Sequence, residues 1–114
     1  MKLVNLTPHT INVISFTSGT SVALPPTGTV ARCATKSRTV GTVAVVGTAK
    51  ENIALFRVEY GEVVDLPAPE EGTLFVVSAL VRSAVPARDD VASPGDLVRD
   101  EKGQPIGCRG LVVN

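Results

Sequence analysis

Apolar and β-branched positions recur in short runs along the chain, separated by clusters of Gly, Pro, Ser and Thr. Lys2 to Leu6 reads as a first strand, broken at Thr7-Pro8-His9-Thr10 because Pro8 lacks a backbone donor and biases Thr7 to an extended shape. Ile11, Val13 and Ile14 resume the run, which ends near Phe16. The polar turn Thr17 to Ser21 then predicts a hairpin with Val22 to Leu24. After Pro25-Pro26-Thr27-Gly28, Val30 to Arg32 starts a third strand. Ala34 to Thr39 is polar and basic, and Val40 to Val46 is again β-rich. A loop is expected over Gly47 to Asn52. From Ile53 to Glu59, Ile53, Leu55, Arg57 and Glu59 face one way and Ala54, Phe56 and Val58 the other. Tyr60-Gly61 is expected to turn this strand into Val63 to Leu66.

Thr73 to Val77 is a short, nearly continuous apolar run, the mark of a strand buried on both faces. Leu80, Val81, Ala84 and Val85 then repeat at helical spacing. Ser78 is placed to cap that helix and Pro86 to stop it, with a continued strand as the rival reading. Ser93-Pro94-Gly95 reads as a turn. Asp96 to Asp100 and Pro105 to Val113 read as hairpin arms closed by Glu101-Lys102-Gly103. The expected fold is therefore mainly β (α+β): one compact domain over 1–114, an antiparallel or mixed sheet of six to eight strands, and one short helix near 79–85.

Composition agrees with that picture. Of 114 residues, 19 are Val and 11 are Thr, whereas Trp is absent and there are three Phe and one Tyr. The core must therefore be made of small aliphatic side chains. Such a core is modest, so a homo-oligomer that buries more surface is expected. A hydrophobic content of 44% against 19% charge excludes disorder as the main state. Eleven basic residues balance eleven acidic ones, so no nonspecific binding of nucleic acid is expected. No apolar run is long enough to span a membrane and no signal-peptide core follows Met1, so a cytoplasmic protein with no membrane partner is expected. The lone histidine, His9, excludes a multi-histidine metal site within one chain, and no cofactor motif is present.

Three segments carry concentrated polar chemistry. Asn5, Thr7 and His9 place an amide, a hydroxyl and the imidazole within five residues; His9 could meet a phosphate or act as a general base. The competing account is a strand break whose polar groups satisfy nearby backbone. Ser78 to Asp90 leads from a strand into a helix start, with Arg82 and Arg88 suited to phosphate or carboxylate and Asp89 and Asp90 suited to ribose hydroxyls. Its competing account is a solvated Arg–Asp network. Gly103 to Leu111 brings glycines beside Cys108 and Arg109. A reactive thiol would need a base such as His9, and a buried structural cysteine is the simpler account. GxGxxG, P-loop, HExxH and GxSxG motifs are all missing.

The N-terminal Asn5-Leu6-Thr7-Pro8-His9-x-Ile11 resembles the start of a family of small, uncharacterised bacteriophage and actinobacterial proteins. Val76-Val77-Ser78, Arg88-x-Asp90, Ser93-Pro94-Gly95, Val98-Arg99-Asp100, Gly103 and Ile106-Gly107-Cys108 resemble its C-terminal part. The likeness covers the first dozen and last forty residues. It implies a phage setting, in which small proteins include binders that sequester nucleotide signals of host immunity. The expectation is a non-catalytic binder of a small anionic, nucleotide-like ligand, acting in counter-defence. Its site would use Asn5, Thr7, His9, Ser78, Arg82, Arg88, Asp89, Asp90 and Arg109. Two alternatives stand beside it: a small hydrolase using His9 with Cys108 or an Asp, and a structural or protein-interaction module of a phage with valine-rich edges.

Overall fold

The computed structural model describes residues 1–47 and 51–114, so the expected loop over Gly47 to Asn52 lies partly outside the described residues. The protein is mainly β with one short helix, as its patterning predicts. The strands are β1 (Lys2–Asn5), β2 (Ile11–Ile14), β3 (Ser21–Leu24), β4 (Arg32–Ala44), β5 (Asn52–Val64), β6 (Thr73–Val76), β7 (Val91–Arg99) and β8 (Pro105–Val113). Helix α1 (Ala79–Ala84) lies between β6 and β7. The chain divides into two compact units. A body is formed by Met1–Arg32 with Val63–Asn114, and a ribbon by Cys33–Glu62.

The body is a six-stranded mixed sheet in the order β1-β6-β7-β8-β2-β3. β1 and β6 pair in parallel from Lys2 with Thr73 to Asn5 with Val76, and β6 pairs in parallel with β7 through Val76 and Ala92. Parallel neighbours need a crossover, and the segment carrying α1 supplies it. β7 and β8 form the expected antiparallel hairpin, and β2 pairs antiparallel with β3. A single parallel register point, Val13 with Cys108, joins the hairpins.

The core is small and aliphatic, as the composition requires. Leu6, Val76, Val77, Val81 and Val91 are its largest fully buried apolar side chains, joined by Phe75, Ala92 and Cys108. α1 forms where expected, one residue shorter than the expected 79–85, and the strand alternative is excluded. The Ser78 hydroxyl accepts from the Val81 N–H at 3.2 Å, so the predicted N-cap is made.

Two predicted turns are not turns. Ser93-Pro94-Gly95 lies inside β7, where Pro94 stands opposite Leu111. Pairing with β6 reaches no further than Ala92, so from Ser93 onward β7 has one neighbour and tolerates a residue without an N–H. Gly95 is needed there because a Cβ would sit on the Arg109 carbonyl oxygen. Tyr60-Gly61 also continues a strand, β5, which runs to Val64 and ends at Asp65 with a φ of 60°. Similarly, the end of the expected Val30–Arg32 run and most of the Val40–Val46 run fall in one 13-residue strand, β4 (Arg32–Ala44), that passes through the polar stretch between them, while Val30, Ala31, Val45 and Val46 lie outside it.

Candidate functional site

The N-terminal polar segment is built as a clasp. Asn5, at the end of β1, is only 3% exposed. Its carboxamide donates to the carbonyls of His9 at 2.9 Å and Leu24 at 2.8 Å. Its Oδ1 accepts from the Thr7 N–H at 2.9 Å and the Thr7 hydroxyl at 2.7 Å. Two donors and two acceptor positions are the full capacity of that group. The Asn5 carbonyl accepts further bonds from the Thr27 N–H at 3.1 Å and the Thr27 hydroxyl at 2.9 Å. Leu24 closes β3, and β1 and β3 are the two edges of the sheet. One side chain therefore ties the opposite edges of a curled sheet together. Pro8 and His9 lie on the exposed outside of this loop.

The second segment is held by ion pairing and capping. Arg88 meets Asp90 through two bonds, Nε to Oδ1 at 2.6 Å and a terminal nitrogen to Oδ2 at 2.8 Å, and also donates to the Pro67 carbonyl at 3.0 Å. Both side chains are mostly buried. The hydrogen bond from Arg88 holds the Asp90 carboxyl below its ordinary range, against the opposing effect of burial; the same bond raises the Arg88 guanidinium. Arg82 donates through Nε to the Ser93 hydroxyl at 2.8 Å and through a terminal nitrogen to the Asn114 side chain at 3.2 Å. The Asn114 amide in turn reaches the carbonyls of Arg82, Val85 and Arg88 at 3.2, 2.9 and 3.1 Å, closing the C-terminal end of α1. Ser78 and Asp89 are exposed.

In the third segment Arg109 is exposed, and Cys108 is 3% exposed with its thiol directed to the Gly110 carbonyl at 3.5 Å. No described hydrogen bond or ion pair joins the N-terminal segment to Arg82, Arg88, Asp89, Asp90 or Arg109. Within the N-terminal segment, Asn5, Thr7 and the His9 carbonyl do come together. Among the described residues, clefts that open on the body include two of note. One, of about 280 Å³, is lined by residues including Thr10, Asn12, Pro94, Leu97, Ile106 and Cys108. The other, of about 380 Å³, is apolar, with Leu3, Val13, Ile14, Val22, Leu24 and Leu111 in its wall. None of the nine expected ligand residues lines either cleft.

The element that sequence reasoning missed is the ribbon. β4 and β5 pair only with each other among the described residues. Nearly all of their side chains are exposed, including Val40, Val43, Ile53, Leu55, Phe56, Val58 and Tyr60. Phe56 is 61% exposed. Arg38 pairs with Glu59 at 3.2 Å on one face of this ribbon. Pleating then places Phe56, Val58 and Tyr60 of β5 on the other face. The available signal was the alternation of Ile53 to Glu59, which continues without interruption through Gly61.

No family model, curated protein or solved structure matches the chain. Among the described residues no helix is long and apolar enough to cross a membrane, and no group of three or more potential metal ligands converges.

Proposed function

We propose that the protein is a non-catalytic protein-interaction module whose working element is the β4–β5 ribbon. The observation that carries this reading is the exposure of large apolar side chains along a ribbon with two unpaired edges. An isolated two-stranded ribbon is at best marginally stable in water, and a long apolar edge invites another chain. Contiguous exposed apolar surface marks interaction sites on proteins that otherwise bury it. The anionic-ligand reading draws less support. Asn5, Thr7, Arg82 and Arg88 already spend their polar groups inside the body, and the larger cleft is walled by aliphatic side chains.

A photoreactive residue replacing Phe56 tests the proposal in the full chain, inside cells that express it. Covalent capture of protein is expected at this position and not at Gln104, an exposed control residue beyond Gly103 in the β7–β8 turn. Equal yields at the two positions overturn the reading. A nucleotide panel on the purified chain provides the contrast: a large rise in melting temperature at submillimolar ligand would restore the anionic-ligand reading.

A further inference from the structure

Resting on that reading, we infer that the ribbon's partner is a second copy of this chain, paired antiparallel along β5 about a two-fold axis at Val58. The β5 segment Phe56-Arg57-Val58-Glu59-Tyr60 is chemically symmetric about its centre. In an antiparallel pair centred on Val58, residues equidistant from that position stand opposite each other. Phe56 then meets Tyr60 of the second copy and Arg57 meets Glu59, each twice, while Val58 meets its own counterpart once on the axis. Pleating sorts these contacts by face: aromatic–valine–aromatic on one side, two ion pairs on the other. All three apolar members are free for this role, with Phe56 61%, Val58 54% and Tyr60 47% exposed.

The intrachain pair fits the same arrangement. Arg38 and Glu59 are 3.2 Å apart and both well exposed, so Glu59 would lie between Arg38 of its own ribbon and Arg57 of the second copy. The alternative edge is disfavoured by charge. β4 carries Arg32, Lys36 and Arg38 and no acid, and antiparallel self-pairing about its midpoint would set Arg38 against itself with Lys36 close by. A parallel β5 pair would oppose Arg57 to Arg57 and Glu59 to Glu59. Of these self-pairings, antiparallel β5 alone sets Arg57 and Glu59 opposite each other, with Glu62 facing the neutral Ala54. The product is a four-stranded sheet, β4-β5-β5-β4, with an isologous interface.

Charge reversal tests the register directly. Sedimentation of the wild-type chain should show a dimer. Arg57→Glu and Glu59→Arg each replace two opposed ion pairs by two like-charge pairs, and each should weaken the dimer at least tenfold, with circular dichroism unchanged. Mixing the two single variants should restore a dimer, now mixed, because every opposed pair is again complementary. In a Cys33→Ser background, Val58→Cys should oxidise to a covalent dimer, since directly opposed residues lie within disulfide reach. Phe56→Cys should not do so alone but should cross-link with Tyr60→Cys. A wild-type monomer at every accessible concentration overturns this inference. So does a dimer indifferent to both reversals that gives no Val58→Cys cross-link. Capture of only a different protein at position 56 would sink the self-pairing and leave the interaction module standing.

Discussion

The Asn5 clasp makes a quantitative demand on the body. Asn5→Ala removes a buried carboxamide that makes two donor and two acceptor bonds at 2.7–2.9 Å. Four bonds at about 0.5–1.5 kcal/mol each set the scale. The carbonyls of His9 and Leu24 and both Thr7 donors also lose a partner, and water can re-satisfy only those near the surface. The expected loss is about 3–5 kcal/mol, a large share of the ~5–15 kcal/mol that holds a domain of this size. At roughly 4 °C per kcal/mol, the melting temperature should fall by ~12–20 °C. Urea titration followed by circular dichroism, with the melting curve as a second probe, gives both numbers. Thr7→Val, which removes one hydroxyl, should cost only about 1 kcal/mol. Asn5→Asp keeps the acceptor side but sets a carboxylate oxygen against two carbonyls. Burial and those dipoles would raise its folded-state pKa, so its deficit should shrink as pH falls through that raised value. A loss below about 1 kcal/mol for Asn5→Ala would refute the clasp and return Asn5 to the pool of free ligand-binding groups.

Asp90→Asn should cost about 1–3 kcal/mol at pH 7, the scale of a partly buried charge-assisted pair. Because the folded Asp90 carboxyl titrates below its ordinary range, its stabilisation is full above the unfolded carboxyl value and is lost as pH falls through the folded one. Urea melts across the acid range should therefore show the two proteins converging at low pH. Gly95→Ala forces a Cβ onto the Arg109 carbonyl oxygen and should cost more than about 2 kcal/mol; Gly41→Ala, with no atom within 4 Å, should fold like wild type. Asn114→Ala removes the amide shared by the Arg82, Val85 and Arg88 carbonyls, the first two of which keep backbone partners, so it should cost about 1 kcal/mol in urea melts and speed hydrogen exchange in α1.

Elements defined by local chemistry were legible in the sequence. Ser78 and Pro86 bracket a segment whose apolar residues fall at helical spacing, which outweighed the strand alternative, and Thr73 to Val77 has the composition of a buried strand. Legibility failed where distant partners override local preference. Ser93-Pro94-Gly95 has every turn residue, yet Leu111 and Arg109, more than a dozen positions away, pull it into a strand. The polar cluster at Asn5 and Thr7 was visible as a cluster. Whether it faces a ligand or the chain itself depends on Leu24 and Thr27, and nothing within the cluster itself specifies that. For β5, alternation reads the same whether its apolar face meets a core or solvent. The symmetry about Val58 was there to read, but it acquires meaning only once that strand is known to have a bare edge.

Hydrogen exchange along β5 tests the account at its centre. Pairing with β4 uses alternate amides, and the intervening ones point to the open edge. If a second copy occupies that edge, consecutive amides around Val58 should be slow to exchange in concentrated wild-type protein. Those facing outward should speed up on dilution and in Arg57→Glu. Outward amides that exchange at the rate of an unstructured peptide, at every concentration, would contradict the account.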